Sequence, residues 1–259
     1  MHPLLLETPW FNVYSYGFML AVGYSLGTLW ILREAGRAGL PKEAVFDMLL
    51  FQLVVGVLGS RFLYLIEYAP DKLTLQYFVS FQSGGLTFYG AVISSFLFDL
   101  LFLKWKRIPF WQIMDCVGFG LPLGIVFARF GCFLNGCCYG GPTSLPWGVV
   151  FSGVGPQPVH PTQLYESISG LVIFIILQKY RNRQQNHGEI FLACMALYGA
   201  FRFLIEICRA DNPVFFWGMT LSQTIGLGMI LGSYFIWRKI GRTPGMRVLP
   251  MSKPGRREP

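Results

Sequence analysis

Charge is what this sequence has least of. Asp, Glu, Lys and Arg make up 13% of its 259 residues, whereas 53% are hydrophobic and 17% aromatic. Soluble domains carry about a quarter charged residues, so a water-soluble globular fold is excluded for a chain of this length. Self-similarity at a period of about 20–50 residues is absent, which rules out a solenoid, and no low-complexity tract occurs. Lys and Arg are missing from the first ten residues, and no convincing small-x-small cleavage site follows. The first apolar run is therefore expected to be a retained helix and not a cleaved signal peptide. Between Asn135 and Thr162 there is no Lys, Arg, Asp or Glu. The six cysteines contain no Cys-x-x-Cys pair of the kind dithiol oxidoreductases use.

What is present is a succession of long apolar runs. Crossing a ~30 Å hydrocarbon core takes about 20 helical residues. Seven stretches qualify, near 11–32, 45–67, 86–103, 111–134, 163–179, 189–208 and 216–237. The expected fold is an all-α integral membrane protein of seven transmembrane helices. Residues 1–237 would form one membrane domain with an outer loop at 135–162, and 238–259 a basic cytoplasmic tail. With the N-terminus outside, sixteen of the 21 Lys and Arg fall on inside loops or the tail, and only Lys72 and Arg209 outside. The positive-inside rule then gives an outer N-terminus and a cytoplasmic C-terminus. The tail from Arg238 to Arg257 reads as a topology and headgroup anchor, not as a nucleic-acid arm.

Three arginines remain inside the runs: Arg61, Arg129 and Arg202. At 1.5 Å per residue they stand about 24, 27 and 20 Å from the inner ends of their helices. All three thus fall in the outer half of the bilayer, and they are expected to converge on one outward-facing site. A charge at that depth costs on the order of 2.5–3.5 kcal/mol even on lenient scales. Tyr198, Arg202, Glu206 and Arg209 share an arc of about 80° on one helix face. Ion pairing with Glu67 or Glu206 is the purely structural reading. A phosphate diester is the other, because the planar guanidinium fork matches phosphate oxygens and stays charged when desolvated. Three polar strings open other helices from the same side: Tyr16-Gly17, Gly84-Gly85-Leu-Thr-Phe-Tyr89-Gly90, and His160-Pro-Thr-Gln163-Leu-Tyr165-Glu166. Singly, each tyrosine reads as an interfacial belt residue and His160 as a loop or capping histidine.

Taken together and in this order, these strings resemble the prolipoprotein diacylglyceryl transferase family, bacterial enzymes that put a diacylglyceryl group on the cysteine of lipoprotein precursors. The matching pieces are Tyr16-Gly17, Gly59-Ser-Arg61, Gly84-Gly85 with Tyr89-Gly90, Arg129-Phe-Gly131 with Asn135 and Gly140, the His160 to Glu166 string, and Tyr198-Gly-Ala-Phe-Arg202 with Glu206 and Arg209. The resemblance implies a multi-pass protein of the bacterial inner membrane with its active site toward the outer leaflet. It implies phosphatidylglycerol as donor, prolipoprotein signal peptides with a lipobox cysteine as acceptors, and no metal or organic cofactor. Nothing in the sequence asks for a partner subunit or nucleic acid, so a monomer is expected. Arg129 and Arg202 would be essential, with Tyr16 close behind and Tyr89 as an orienting hydrogen-bond donor. Substrate binding would fall to Arg61, Gly85, Gly90, Gly131, Asn135, Gly140, His160, Gln163, Tyr165, Glu166, Tyr198, Glu206 and Arg209.

The sequence departs from the family pattern in places. Around Arg129 the family usually reads Gly-Arg-x-Gly-Asn-Phe-x-Asn-x-Glu, and here Ala128, Cys132 and Cys137 replace the first Gly, the Asn and the Glu. The frequent His-Gly-Gly is Tyr89-Gly90-Ala91, and the outer loop is short. The implied chemistry is attack of the lipobox thiolate on the glyceryl carbon beside the lipid phosphate, with glycerol phosphate leaving under stabilisation by Arg129 and Arg202. A membrane thiol oxidoreductase using Cys132, Cys137 and Cys138 is the alternative function. Zinc at those cysteines is disfavoured because His160 would be the only nearby imidazole. A transporter is disfavoured because the charges crowd one side of the membrane, away from the midplane.

Overall fold

Long apolar runs fold as helices, even the fourth with Pro122 in its interior, because no other open structure satisfies backbone groups away from water. The computed structural model of the chain describes residues 3–7, 12–72, 74–79, 85, 87–151, 154–209, 212–243 and 247. It is mostly helical: α1 Ser15–Arg37, α2 Lys42–Tyr68, a short α3 Leu75–Val79, α4 Phe88–Lys106, α5 Phe110–Asn135, α6 Thr162–Tyr180, α7 Glu189–Glu206 and α8 Leu221–Ile240. A long helix overlies each of the seven apolar runs. Among the described residues α1, α2 and α5 are long and apolar enough to cross a membrane.

Two boundaries differ from the sequence reading. The first run begins as strand β2 (Asn12–Tyr14), paired antiparallel with β1 (Leu4–Glu7). The last begins as a hairpin of β3 (Val214–Phe216) and β4 (Met219–Thr220). There Trp217 and Gly218 both take positive φ, which turns the chain back before the helix starts. Thr220 and Gln223 then form a reciprocal capping box, and that fixes the start of α8 at Leu221.

The chain divides into two compact units, one of residues 1–31 with 114–259 and one of residues 32–113, so that the boundaries fall inside α1 and α5. In the second unit α2 and α4 meet through small residues. A Cβ at Gly90 would stand 2.8 Å from Leu63 Cβ and would strike the Gly59 carbonyl oxygen. Ser94 Oγ donates to Val55 O at 3.1 Å and Gln52 Nε2 to Asp99 at 2.7 Å. Such small-residue contacts with interhelical polar bonds are how helices associate where water supplies no driving force. The outward faces of this pair are apolar: Phe51, Val54, Leu58 and Phe62 on α2, and Ile93, Leu97 and Leu101 on α4, are all exposed.

The first unit holds the core cluster of Phe119, Ile173, Leu177, Ile190 and Cys194, contributed by α5, α6 and α7. Asp115 on α5 caps α7 from the side: its carboxylate accepts from the backbone N–H groups of Gly188 (2.6 Å), Ile190 (3.0 Å) and Phe191 (3.1 Å). An anion at unsatisfied N–H donors complements the helix dipole. At mid-helix, α7 and α8 touch backbone to backbone, a Cβ at Gly199 standing 2.6 Å from Gly226 O. These two contacts set the angle at which α7 carries Arg202 toward α6.

Candidate active site

Three helices of the first unit deliver charge to one place, and a fourth adds a hydroxyl. Glu166, one turn into α6 and almost fully buried, is its centre. Arg202 Nη1 on α7 donates to Glu166 Oε1 at 2.9 Å, and Arg129 Nε on α5 lies 2.9 Å from Oε2. Arg209, just past α7, stands 3.9 Å from Oε1. Arg202 continues the network: Nη2 donates to Ser222 Oγ on α8 at 3.0 Å and pairs with Glu206 Oε2 at 3.0 Å. The Arg129–Glu166 and Arg202–Glu206 contacts are close ion pairs without hydrogen-bond alignment. Glu206 also accepts from Thr220 Oγ1 at 2.9 Å and from the Asn212 amide. Three guanidinium groups thus meet two carboxylates, which leaves one positive charge in excess.

Exposure grades this cluster. The Glu166 side chain is 2% exposed, Arg209 10%, Arg202 15% and Arg129 26%. Arg129 meets Glu166 through Nε, the inner edge of its fork, and is the most accessible cation of the three. Tyr198 lies within electrostatic reach of Arg129. So does Tyr16, since α1 passes close to α5, where a Cβ at Gly131 would stand 2.9 Å from Met19 Cβ and 3.4 Å from the Tyr16 backbone. Gly131 is therefore a packing residue that brings Tyr16 to the arginines.

The His160 to Glu166 string does three separate things. Thr162 Oγ1 donates to Cys138 O at 2.8 Å, and Gln163 Nε2 to Cys137 O at 2.6 Å, so both pin the loop that follows α5. Tyr165 accepts from Trp147 Nε1 at 2.8 Å, and its hydroxyl lies 3.3 Å from His160 Nδ1. Glu166 alone faces the arginines. Gly140 belongs to the pinned loop: its N–H donates to His160 O at 2.8 Å, and a Cβ there would collide with Cys208 O and Thr162. Asn135 ends α5 with its side chain exposed.

The loop returns the cysteines to one another. Gly136 and Cys137 donate their N–H groups to Cys132 O at 3.0 and 3.1 Å, and Gly136 and Cys138 both adopt positive φ. The sulfurs of Cys132, Cys137 and Cys138 lie within 4.8 Å of one another, all as free thiols. A hydrogen bond from Cys132 holds the Cys138 thiol below its ordinary pKa; burial opposes this, and a Cys137 bond with the Arg129 and Arg209 charges adds to it.

All the residues of this cluster lie in the first unit. Arg61, Gly85, Tyr89 and Gly90 lie in the second, where Arg61 is fully buried and donates to Tyr77 O at 2.8 Å and Gly85 O at 3.1 Å. Gly85 has φ 84°, and a Cβ there would enter the Tyr64 ring. Tyr89 is half exposed. Glu67, weighed as a counterion from sequence, is exposed on α2 and enters none of the described ion pairs. Thr220, Ser222 and Asn212 were missed as site residues. The Thr220-x-x-Gln223 spacing is a readable capping signature, whereas nothing local in the sequence points Ser222 at Arg202.

Comparison with known proteins gives one consistent result. The sequence model of the prolipoprotein diacylglyceryl transferase family matches residues 3–238. Three relatives bear the name phosphatidylglycerol–prolipoprotein diacylglyceryl transferase. That of Clostridioides difficile is 34% identical over 222 residues, covering 85% of this chain and 88% of the relative. That of Geobacter sulfurreducens is 36% identical over 208 residues (76% and 78%). That of Chromohalobacter salexigens is 33% identical over 238 residues (88% of each).

Proposed function

This chain belongs to the prolipoprotein diacylglyceryl transferase family, and from that premise we propose that it moves the diacylglyceryl group of phosphatidylglycerol onto the lipobox cysteine of prolipoproteins. A thioether forms and glycerol phosphate leaves. The observation that carries the site assignment is the charge imbalance around Glu166. Arg129, Arg202 and Arg209 exceed Glu166 and Glu206 by one charge, and a phosphodiester headgroup carries one negative charge. The family match favours this reading over the thiol oxidoreductase.

In this reading Arg129 takes the lipid phosphate with the terminal nitrogens of its fork, while Glu166 holds Nε. Arg202 is held in place by Glu166, Glu206 and Ser222. Its charge, with that of Arg129, stabilises the dianion that develops on the departing glycerol phosphate. Donors fixed before the reaction act without reorganisation in a water-poor site, and removing one commonly costs ~10²–10³ in rate. The incoming thiol, with a pKa of ~8.5, needs about 2 kcal/mol to ionise at neutral pH. The excess positive charge lowers that cost, and Tyr16 orients the reacting groups beside Arg129. An open apolar groove between α6 and α7, lined by Tyr165, Ser169, Phe201 and Cys208 among others, suits an acyl chain. Seven spans with an outer N-terminus would put this site in the outer leaflet of the bacterial membrane, and the clustering of Lys and Arg supports that orientation.

The test is transfer from phosphatidylglycerol to a lipobox peptide by the purified protein, followed by mass spectrometry of the peptide and by glycerol phosphate release. Thioether formation that disappears when the peptide cysteine is replaced by serine supports the reading. A folded protein that transfers nothing from any anionic phospholipid overturns it.

A further inference from the structure

We propose that Cys132, Cys137 and Cys138 form a three-thiolate binding site for one Zn²⁺ ion at the C-terminal end of α5. The inference rests on the cysteine cluster and stands whether or not the transferase reading holds. The three sulfurs lie within 4.8 Å of one another. Tetrahedral zinc with Zn–S bonds of about 2.3 Å needs its sulfurs ~3.8 Å apart, so side-chain rotations of about an ångström close the set.

The backbone is already arranged for this. Cys132 sits in the last turn of α5, and the turn through Gly136 and Cys138, both at positive φ, folds Cys137 and Cys138 back over it. A non-glycine residue in that region costs on the order of 1–3 kcal/mol and persists only where surrounding structure enforces it. The enforcement is the pair of bonds from Thr162 and Gln163 to the Cys138 and Cys137 carbonyls. These bonds hold backbone only; the sulfurs bond to one another and Cys137 Sγ donates to Cys132 O at 3.7 Å, thiol hydrogen bonds that deprotonation on binding the ion would exchange for Zn–S bonds.

Charge favours the ion as well. Three thiolates around Zn²⁺ carry one net negative charge, and the Arg129 and Arg209 guanidinium groups act on the Cys138 sulfur. Soft thiolate sets select zinc over magnesium or calcium. No imidazole is required, which removes the objection drawn from the scarcity of histidine. Three protein ligands leave a fourth coordination position open, as at catalytic zinc sites.

The full-length protein, purified in detergent with its six thiols reduced, is loaded with Zn²⁺, desalted and assayed for metal and for cysteine alkylation by mass spectrometry. One zinc per chain is expected, with Cys132, Cys137 and Cys138 protected from alkylation and Cys208 unprotected. Cys138→Ser should weaken zinc retention by more than the ~10–100-fold seen when outer-shell partners are lost. Cys194→Ala should retain the ion, and Co²⁺ should give a thiolate charge-transfer band in wild type that Cys138→Ser lacks. Reduced wild-type protein that neither retains zinc nor shows protection overturns the proposal. So does a disulfide among the three that forms in preference to zinc binding, and neither outcome depends on a variant folding.

Discussion

Replacing Glu166 by glutamine tests the site where it is most constrained. The substitution keeps the shape of the side chain and removes the one charge that two guanidinium groups approach within 2.9 Å and a third within 3.9 Å. At an effective dielectric near 20, two guanidinium charges about 5 Å apart repel by about 3 kcal/mol. In the wild type Glu166 offsets that repulsion. Without it only Glu206 remains against three arginines, and the excess rises from one positive charge to two. Breaking a buried ion pair on one side typically costs about 3–5 kcal/mol of stability. The same excess should make the variant a better anion binder. Thermal unfolding in detergent, with phosphatidylglycerol or with phosphatidylcholine, separates these effects. Glu166→Gln should unfold at lower temperature than wild type, and the anionic lipid should restore it by a larger increment than it gives wild type, because binding to the folded state alone stabilises by RT ln(1 + [L]/Kd), which grows with affinity. Zwitterionic lipid should not. Transfer should fall as well, because Arg129 and Arg202 lose the anchor that orients them. An unfolding temperature equal to wild type, or a loss that both lipids restore alike, would refute the counterion argument.

Arg202→Gln should reduce diacylglyceryl transfer by ~10²–10³, read as kcat in the fraction that remains folded; an unchanged kcat with a lower unfolding temperature would make Arg202 a structural pair only. Gly199→Leu should separate α7 from α8, since its side chain would enter the Gly226 carbonyl, and unfolding temperature and activity should fall together. Gln163→Ala removes the bond to the Cys137 carbonyl; alkylation of Cys137 and Cys138 should quicken while Cys208 is unaffected. Burial lowers the pKa of His187, in the loop between α6 and α7, so the unfolded chain takes up a proton near pH 6.5 that the folded chain resists. Stability from this group is complete above that pH and is lost as pH falls, and His187→Asn should flatten thermal stability below pH 6.5.

Much of this site could be read from sequence because buried charge is rare. Arg129 and Arg202 stood out as ionised groups inside apolar helices, and the structure places both on Glu166. The helical spacing of Tyr198, Arg202 and Glu206 also holds, with Arg202 and Glu206 paired across one turn, whereas Arg209 lies in the turn past the end of α7. The choice of counterion could not be read the same way. Helical periodicity says which residues share a face of one helix and nothing about which helix opposes it. Of the two carboxylates weighed as counterions, Glu206 does pair with Arg202, but Glu166, expected from sequence only as a substrate-binding residue, is the shared partner, and packing through Gly118, Gly131 and Gly170 against α7, α1 and α5 brings it there. The missed turn before α8 has a different cause. Val214 to Phe216 are apolar enough to continue a helix, but Gly218 and the Thr220 cap determine where the helix begins.

The order of residues in the His160 to Glu166 string explains why these types must stand at these spacings. Thr162 and Glu166 are four apart and so share a face of α6, while Gln163 is one position around. That face turns toward α5, where the helix ends and the cysteine loop begins. The first turn of α6 therefore holds the loop backbone, and the second turn holds the arginine on the same helix as Cys132. Arg129 precedes Cys132 by three residues, so the anion site and the thiol cluster are neighbours on one face of α5. A change in one must be felt by the other. Zinc binding would draw the Cys132 sulfur toward Cys137 and Cys138, and with it the last turn of α5, so Arg129 one turn earlier, and its hold on a lipid phosphate, would shift. Lipid affinity measured with and without zinc on the same preparation should therefore differ in wild type and coincide in Cys138→Ser, and equal affinities in wild type would separate the two sites.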